Sequence, residues 1–267
     1  MSSLRLPTFA ETLAVSRSHG RLSAHPNLWD ELAFHLPGTQ GGGKHWKDVS
    51  GFDNHGTLTN MDPATAWVMT EKGWALDFDG SNDYVEFPSG LLGVAGSISL
   101  WVKLGGNQAA KGTLLQETAS GYVDWDFDTA NTSCEVSIYD TGFTDFVVDL
   151  GTTWKHMVLT WSTTNTSLYI DGARTNSDDT FTGLNGNADT ICLGQDRNHY
   201  DASLLGRIAN LCIYSCALSP NEIQQLYVDP HAIVRPMQRI PVGTTGGAPA
   251  GLSIPIAMHH YRQLQGA

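Results

Sequence analysis

The chain has 267 residues, 41% of them hydrophobic, and a formal net charge of −12. That length and apolar content suffice for one sizeable core, and the acidic balance argues against nucleic acid as a partner of the main surface. No window approaches the roughly 18 apolar residues of a membrane span, so no membrane partner is expected. Four cysteines (Cys134, Cys192, Cys212, Cys216) form no CxxC pair and have no His at zinc spacing. They read as buried apolar thiols.

In chain order, residues 1–32 have little periodicity and read as an N-terminal arm. They begin without the apolar run of a signal peptide, so the expected place of synthesis is a cytoplasm. Asn27–Phe34 reads as one helical turn or as the lead into a first strand near Ala33–Leu36, and Pro37–Gly43 as a glycine-rich loop. Lys47–Asn60 combines Gly51 and Gly56 with the side-chain oxygens of Asp48, Asp53 and Asn54, as a tight turn or an ion site would. Trp74–Phe87 reads as a hairpin, with Leu76 and Phe78 on one face and Asp79–Asp83 as its turn. Ile98, Leu100 and Val102 alternate with Ser97, Ser99 and Trp101 along the next strand.

Tyr122–Asp128 is the most chemically suggestive strand. Asp124, Asp126 and Asp128 share one face; Val123, Trp125 and Phe127 share the other. Same-face carboxylates about 6.5–7 Å apart repel unless solvent, a cation or a basic group relieves them. The face reads as a solvated acidic surface or as a site for a cation, a sugar or a basic arm. Glu135 falls where an EF-hand loop would place its last ligand, but Thr129 replaces the required glycine and the strand pattern argues against that motif. Further strands are expected at Thr113–Gln116, Cys134–Tyr139, Phe143–Leu150, Lys155–Trp161, Thr166–Ile170, Thr190–Gly194 and Gly206–Tyr214, with Asp171-Gly172 as a hairpin turn. Ser219, Pro220 and Glu222 mark a helix start with a capping box, and Ile223, Leu226 and Tyr227 form its apolar stripe. Residues 229–267 carry five prolines and a glycine-rich run, and read as a C-terminal arm.

Taken in order, these segments resemble laminin-G-like modules of the concanavalin A-like lectin/glucanase superfamily. Asp48–Asn60 is similar to the family's DxSGxxNHGxLxN segment and Leu76–Phe87 to its LxFDGxxDYVxF segment. Ile98–Lys103 is similar to FTISxWVK, and the stretch to Gly172 to WxHVxxTW followed by LYvDG. The resemblance implies an all-β, two-sheet antiparallel jelly-roll sandwich over residues 33–228 with one short C-terminal helix. It also raises calcium, with Asp48, Asp79 and Asp83 as the ligands. The family's last strand commonly reads IDExxIY; here Ala209 and Asn210 stand where its acidic pair would be, which weakens that implication.

Glycosidases of this superfamily carry Glu-x-Asp-x-Glu on one strand, and retaining chemistry needs two carboxyl groups about 5–5.5 Å apart. Asp124-x-Asp126-x-Asp128 departs from that pattern. There is no Gly-x-Ser-x-Gly elbow and no Walker loop, so the expectation is that the chain is not an enzyme. The stretches 1–47 and 229–267 carry eight basic and four acidic side chains, leaving −16 on the rest. The tail after Leu226, of form LYxDPxAxxRP, resembles laminin-G-like modules encoded among tailed-phage structural genes. The expected role is therefore a virion surface or decoration protein, whose arms hold other copies or a capsid or tail protein. The alternative is a carbohydrate-binding module for surface glycans that uses Asp124, Asp126 and Asp128 with Trp101 and Trp125, provided those rings are exposed.

Overall fold

The computed structural model describes Thr12 and residues 25–29, 31–108, 112–117, 123–130, 133–138, 143–147, 150–178, 190–196 and 203–236. These form two antiparallel sheets, each of eight strands among the described residues. The first sheet holds β1 (Leu32–Leu36), β4 (Trp67–Thr70), β5 (Gly73–Asp79), β7 (Gly96–Leu104), β12 (Lys155–Trp161), β13 (Thr166–Ile170), β14 (Ala173–Asp178) and β16 (Leu205–Tyr214). Its order is β14-β13-β12-β7-β16-β5-β4, with β1 also on β16. The second holds β2 (His45–Trp46), β3 (Gly56–Thr59), β6 (Tyr84–Phe87), β8 (Gly112–Glu117), β9 (Val123–Phe127), β10 (Ser133–Ile138), β11 (Phe143–Val147) and β15 (Ile191–Leu193). Its order is β11-β10-β9-β8-β15-β6-β3-β2. This is the two-layer sandwich that alternating apolar strands demand.

The alternation works as expected in the core. Leu76 and Phe78, Ile98, Leu100 and Val102, and Val123, Trp125 and Phe127 all face the space between the sheets. Asp171 and Gly172 both adopt positive φ (52° and 80°) in the β13–β14 turn, as a tight two-residue hairpin requires. Trp74–Phe87 is not a hairpin, however. β5 pairs with β4 and β16, while β6 pairs with β3 and β15, so the Asp79–Asp83 turn carries the chain from one sheet to the other. A period of two says which residues share a face; it does not say which sheet a strand joins.

The helix α1 (Pro220–Val228) starts as expected: Ser219 accepts from the Glu222 N–H, and the Glu222 carboxylate accepts from the Ser219 N–H. Ile223 and Leu226 are buried on the outer side of the first sheet with Val158, Tyr169 and Tyr214.

The expected arm boundaries move. Leu28 and Leu32 at one end and Ala232, Ile233 and Val234 at the other are buried in that same second cluster. The Trp29 indole donates to the Ile233 carbonyl at 2.7 Å, and Arg235 forms a double ion pair with Asp229. The segment 229–236 therefore belongs to the body. Its prolines hid three consecutive apolar residues that cover the sheet beside the helix. The arm residues 1–11, 13–24, 30 and 237–267 lie outside the described residues.

Candidate functional site

The outer face of the first sheet carries a pocket of about 360 Å³ lined by Lys72, Trp101, Trp154, Asp171, Tyr227 and Val228. Its floor follows from strand register. Trp101 on β7 stands opposite His156 on β12 and Ala209 on β16, all facing away from the core. Ala75 and Ala209 are small and buried beside the indole, so nothing on β5 or β16 competes with the ring for space. Tyr227, from the last turn of α1, stacks on Trp101 (5.8 Å between centroids, 15° between planes) and on His156 (6.1 Å, 25°). Trp154, just before β12, and Val228 complete the rim, both in contact with solvent.

Two charged side chains enter this aromatic frame. The Lys72 ammonium lies 3.5 Å from the centroid of the Trp101 ring, a cation–π contact. Burial lowers the Lys72 pKa, against the raising influence of Glu71 and Asp171. Asp171 accepts from Lys155 Nζ at 3.1 Å through one oxygen and from the His156 N–H at 3.0 Å through the other. The His156 ring is buried and donates or accepts through Nε2 with Ser99 Oγ at 3.0 Å. Burial pushes its pKa down to about 3 despite the opposing charge of Asp171, so the ring is neutral at physiological pH.

A bulge in β16 positions Lys72. The register with β7 shifts between Ala209 and Cys212, and Asn210 sits at positive φ (52°). This turns the Asn210 amide toward two loops at once. It accepts from the Gly38 N–H at 2.7 Å and donates to the Lys72 carbonyl at 2.7 Å. Gly38 is needed there, because a Cβ would come within 2.9 Å of the Lys72 carbonyl oxygen. The Lys72 backbone is also tied to its own turn through Thr70 Oγ1. Asn210 and Ala209, the two positions where the family's acidic pair is missing, thus build the pocket.

The structure divides the residues expected to bind ligand. Trp101 lines the pocket, but only 3% of it is exposed, so it is a floor and not an open platform. Trp125 is fully buried between the sheets, its indole donating to Cys134 Sγ. That corrects its candidacy, and the signal was present in the alternation that puts it with Val123 and Phe127. Asp124 and Asp126 are half-buried on the outer face of the second sheet, in register with Ser137 and Glu135 of β10. They are therefore on the opposite side of the sandwich from Trp101. Asp128 caps the turn that follows, accepting from the Ser133 N–H at 3.0 Å.

The three carboxylates expected to hold calcium do not converge. No three His, Cys, Asp or Glu residues form a group able to hold a metal ion among the described residues. Asp48 spends both oxygens on its own loop and on β1, accepting from the N–H groups of His35, Ser50 and Asn54 and from the Ser50 hydroxyl. Asp79 accepts from the Ser81 N–H, and Asp83 accepts from the Asp79 N–H. Burial raises the Asp83 pKa. These are the side-chain turns that Asp favours in loops. Lys72, Trp154, Asp171 and Tyr227 were not expected as ligand residues. Trp154 heads the WxHVxxTW segment and Asp171 the hairpin turn, and neither pattern points to a shared pocket.

The architecture is that of a jelly-roll sandwich with its ligand-sized cavity on an outer sheet face. Residues 79–224 match the laminin-G family model described as the concanavalin A-like lectin/glucanases superfamily, and the chain belongs to that superfamily. No curated protein matches the chain. Among solved structures it is similar to domain 4 of AbnA, a GH43 extracellular arabinanase from Geobacillus stearothermophilus, in complex with arabinotriose. The identity is 23% and the TM-score 0.57, over 74% of this chain and 98% of that one. It is also similar to Trypanosoma rangeli sialidase in complex with sialic acid (16%, TM-score 0.60, 76% of this chain and 34% of the sialidase). A third likeness is to the binding domain of Paraclostridial Mosquitocidal Protein 1 (18%, TM-score 0.54, 74% and 52%). The chain thus spans about a third of the sialidase and about half of the mosquitocidal domain.

One expectation is corrected by these likenesses. The missing Glu-x-Asp-x-Glu strand led to the expectation that the chain is not an enzyme. Chains of this fold occur in an arabinanase and in sialidases, so the departure at Asp124, Asp126 and Asp128 excludes one arrangement of carboxylates and not enzymatic activity as such.

Proposed function

We propose that the chain is a carbohydrate-binding module and that its ligand sits in the pocket between Lys72, Trp154, Asp171 and Tyr227. The observation that carries this reading is the pocket's composition: aromatic rings, an ammonium and a carboxylate gathered in about 360 Å³ on a sheet face. Sugars offer apolar C–H faces for aromatic rings and hydroxyls for charged groups, and ligand sites combine such a lining with a few polar anchors. Membership of a lectin and glucanase superfamily supports the reading. So does the likeness, over 74% of this chain, to an arabinanase domain that was solved in complex with arabinotriose. The test is a glycan array probed with the wild-type protein and with Trp154→Ala. Binding to a defined glycan class that Trp154→Ala abolishes supports the proposal. No binding to any glycan, or binding that Trp154→Ala leaves unchanged, contradicts it.

A second reading, assembly on a virion surface, is favoured by the charge partition between the basic chain ends and the acidic middle. Light scattering of the full chain beside residues 25–236 tests it. A defined oligomer that the shorter chain loses supports arm-mediated assembly; equal masses contradict self-assembly.

A further inference from the structure

We infer that the pocket selects a sugar bearing a single carboxylate, and that the Lys72 ammonium is the group that reads it. The inference rests on the carbohydrate reading above and adds the chemical class of the ligand.

The charges at the pocket are unevenly satisfied. Asp171 has both oxygens engaged, one by Lys155 and one by the His156 N–H. Lys72 has no carboxylate within ion-pair distance among the described residues; its ammonium is held only against the Trp101 ring. Glu71 and Asp171 act on it through space, without contact. An ammonium taken partly out of water without a hydrogen-bonded anion is undercompensated, and an incoming carboxylate restores what it lost. Of the other groups lining the pocket, Asp171 is the charged one, and it is engaged by Lys155 and the His156 N–H. His156 is neutral, and Trp154 carries no ionisable group. The Trp101 indole N–H, buried beneath the ammonium, has no hydrogen-bond partner either, so the floor holds a second donor beside Lys72.

The position of Lys72 is imposed by the fold. Asn210, at the β16 bulge, holds the Lys72 carbonyl, and the Thr70 hydroxyl accepts from the Lys72 N–H. The stem is thereby aimed across the sheet from a fixed root. Preorganisation of this kind separates a binding lysine from a solvated one. The limit to one carboxylate follows from the rest of the molecule. A chain of net charge −12 repels a polyanion along its length, whereas a single acidic sugar meets the local positive site after a short approach.

The experiment uses oligosaccharides in matched pairs that differ only at the terminal residue: glucuronate against glucose, and galacturonate against galactose. Each pair is titrated against the full-length wild type and Lys72→Met, which keeps an apolar stem on the Trp101 ring. Melting temperatures of both proteins confirm that the variant folds. The expected result is a preference of at least about tenfold for the acidic member of a pair, weakened by added salt and abolished in Lys72→Met. Equal binding of acidic and neutral members overturns the inference and leaves the carbohydrate reading standing. An acidic preference that survives in Lys72→Met overturns the role of Lys72. Absence of binding to every member overturns both.

Discussion

Three buried histidines make the stability of this sandwich sensitive to mild acid. His35, His156 and His231 are each at least 94% buried. Burial lowers the pKa of His35 to about 3, helped by His231, and that of His231 to about 4, where Asp229 opposes the shift. His156 falls to about 3 as well. Neither ring nitrogen of His35 meets a hydrogen-bond partner. In the unfolded chain all three titrate near 6.5. Below that pH the unfolded state therefore binds more protons than the folded one, and stability falls as pH drops from about 6.5 toward the folded values. At pH 5.0 each histidine removes about 2 kcal/mol, and the three together about 6 kcal/mol, a large part of the 5–15 kcal/mol that holds a typical domain. Model carboxylates titrate mainly below pH 5.0, so histidines dominate the change between pH 7.5 and 5.0. The assay is urea unfolding followed by tryptophan fluorescence at pH 7.5 and 5.0. The midpoint should fall by roughly 2–3 M, and His35→Leu should shrink the pH dependence by about a third. A loss below about 2 kcal/mol between the two pH values would refute the reasoning.

Other predictions concern the frame around the site. Ile233→Ala should destabilise the protein by about 2–5 kcal/mol, because Ile233 is fully buried against the second cluster; chemical denaturation reads this, and a change under 0.5 kcal/mol would place the segment 229–236 outside the cooperative fold. Asp48→Ala leaves three N–H donors and a hydroxyl without their acceptor and should cost about 2–4 kcal/mol, with increased hydrogen exchange at Ser50 and Asn54. Ser219→Ala should lower stability by about 1 kcal/mol through loss of the helix cap, measured in the same way.

Much of the fold was legible because a strand's side-chain period is two. Ile98, Leu100 and Val102 announced a core strand, and Asp171-Gly172 announced a turn needing positive φ. The capping box of Ser219 and Glu222 was equally local. What could not be read was which strands meet. Trp74–Phe87 looks like a hairpin because its two strands are close in sequence, yet they belong to different sheets. The pocket was hidden for the same reason: residues 72, 101, 154, 171 and 227 come together only through the β5-β16-β7-β12 order and the helix laid across it. Asn210 was noticed as a missing acid; its bulge and its two-loop clamp depend on β1 and β5 sharing one side of β16. The Trp125 case differs. Its neighbours Val123 and Phe127 already placed it on the apolar face, and its chemistry drew it into the ligand set despite that signal.

The most direct test of the central claim is the response of the tryptophan indole N–H resonances to a bound glycan. The chain has eight tryptophans, among which Trp101 and Trp154 line the pocket while Trp125 and Trp161 lie in the core. Titrating the tightest-binding oligosaccharide of the panel should shift the indole signals of Trp101 and Trp154 and leave those of Trp125 and Trp161 in place. Shifts confined to other tryptophans, or no shift at saturating ligand, would contradict the assignment of the pocket as the sugar site.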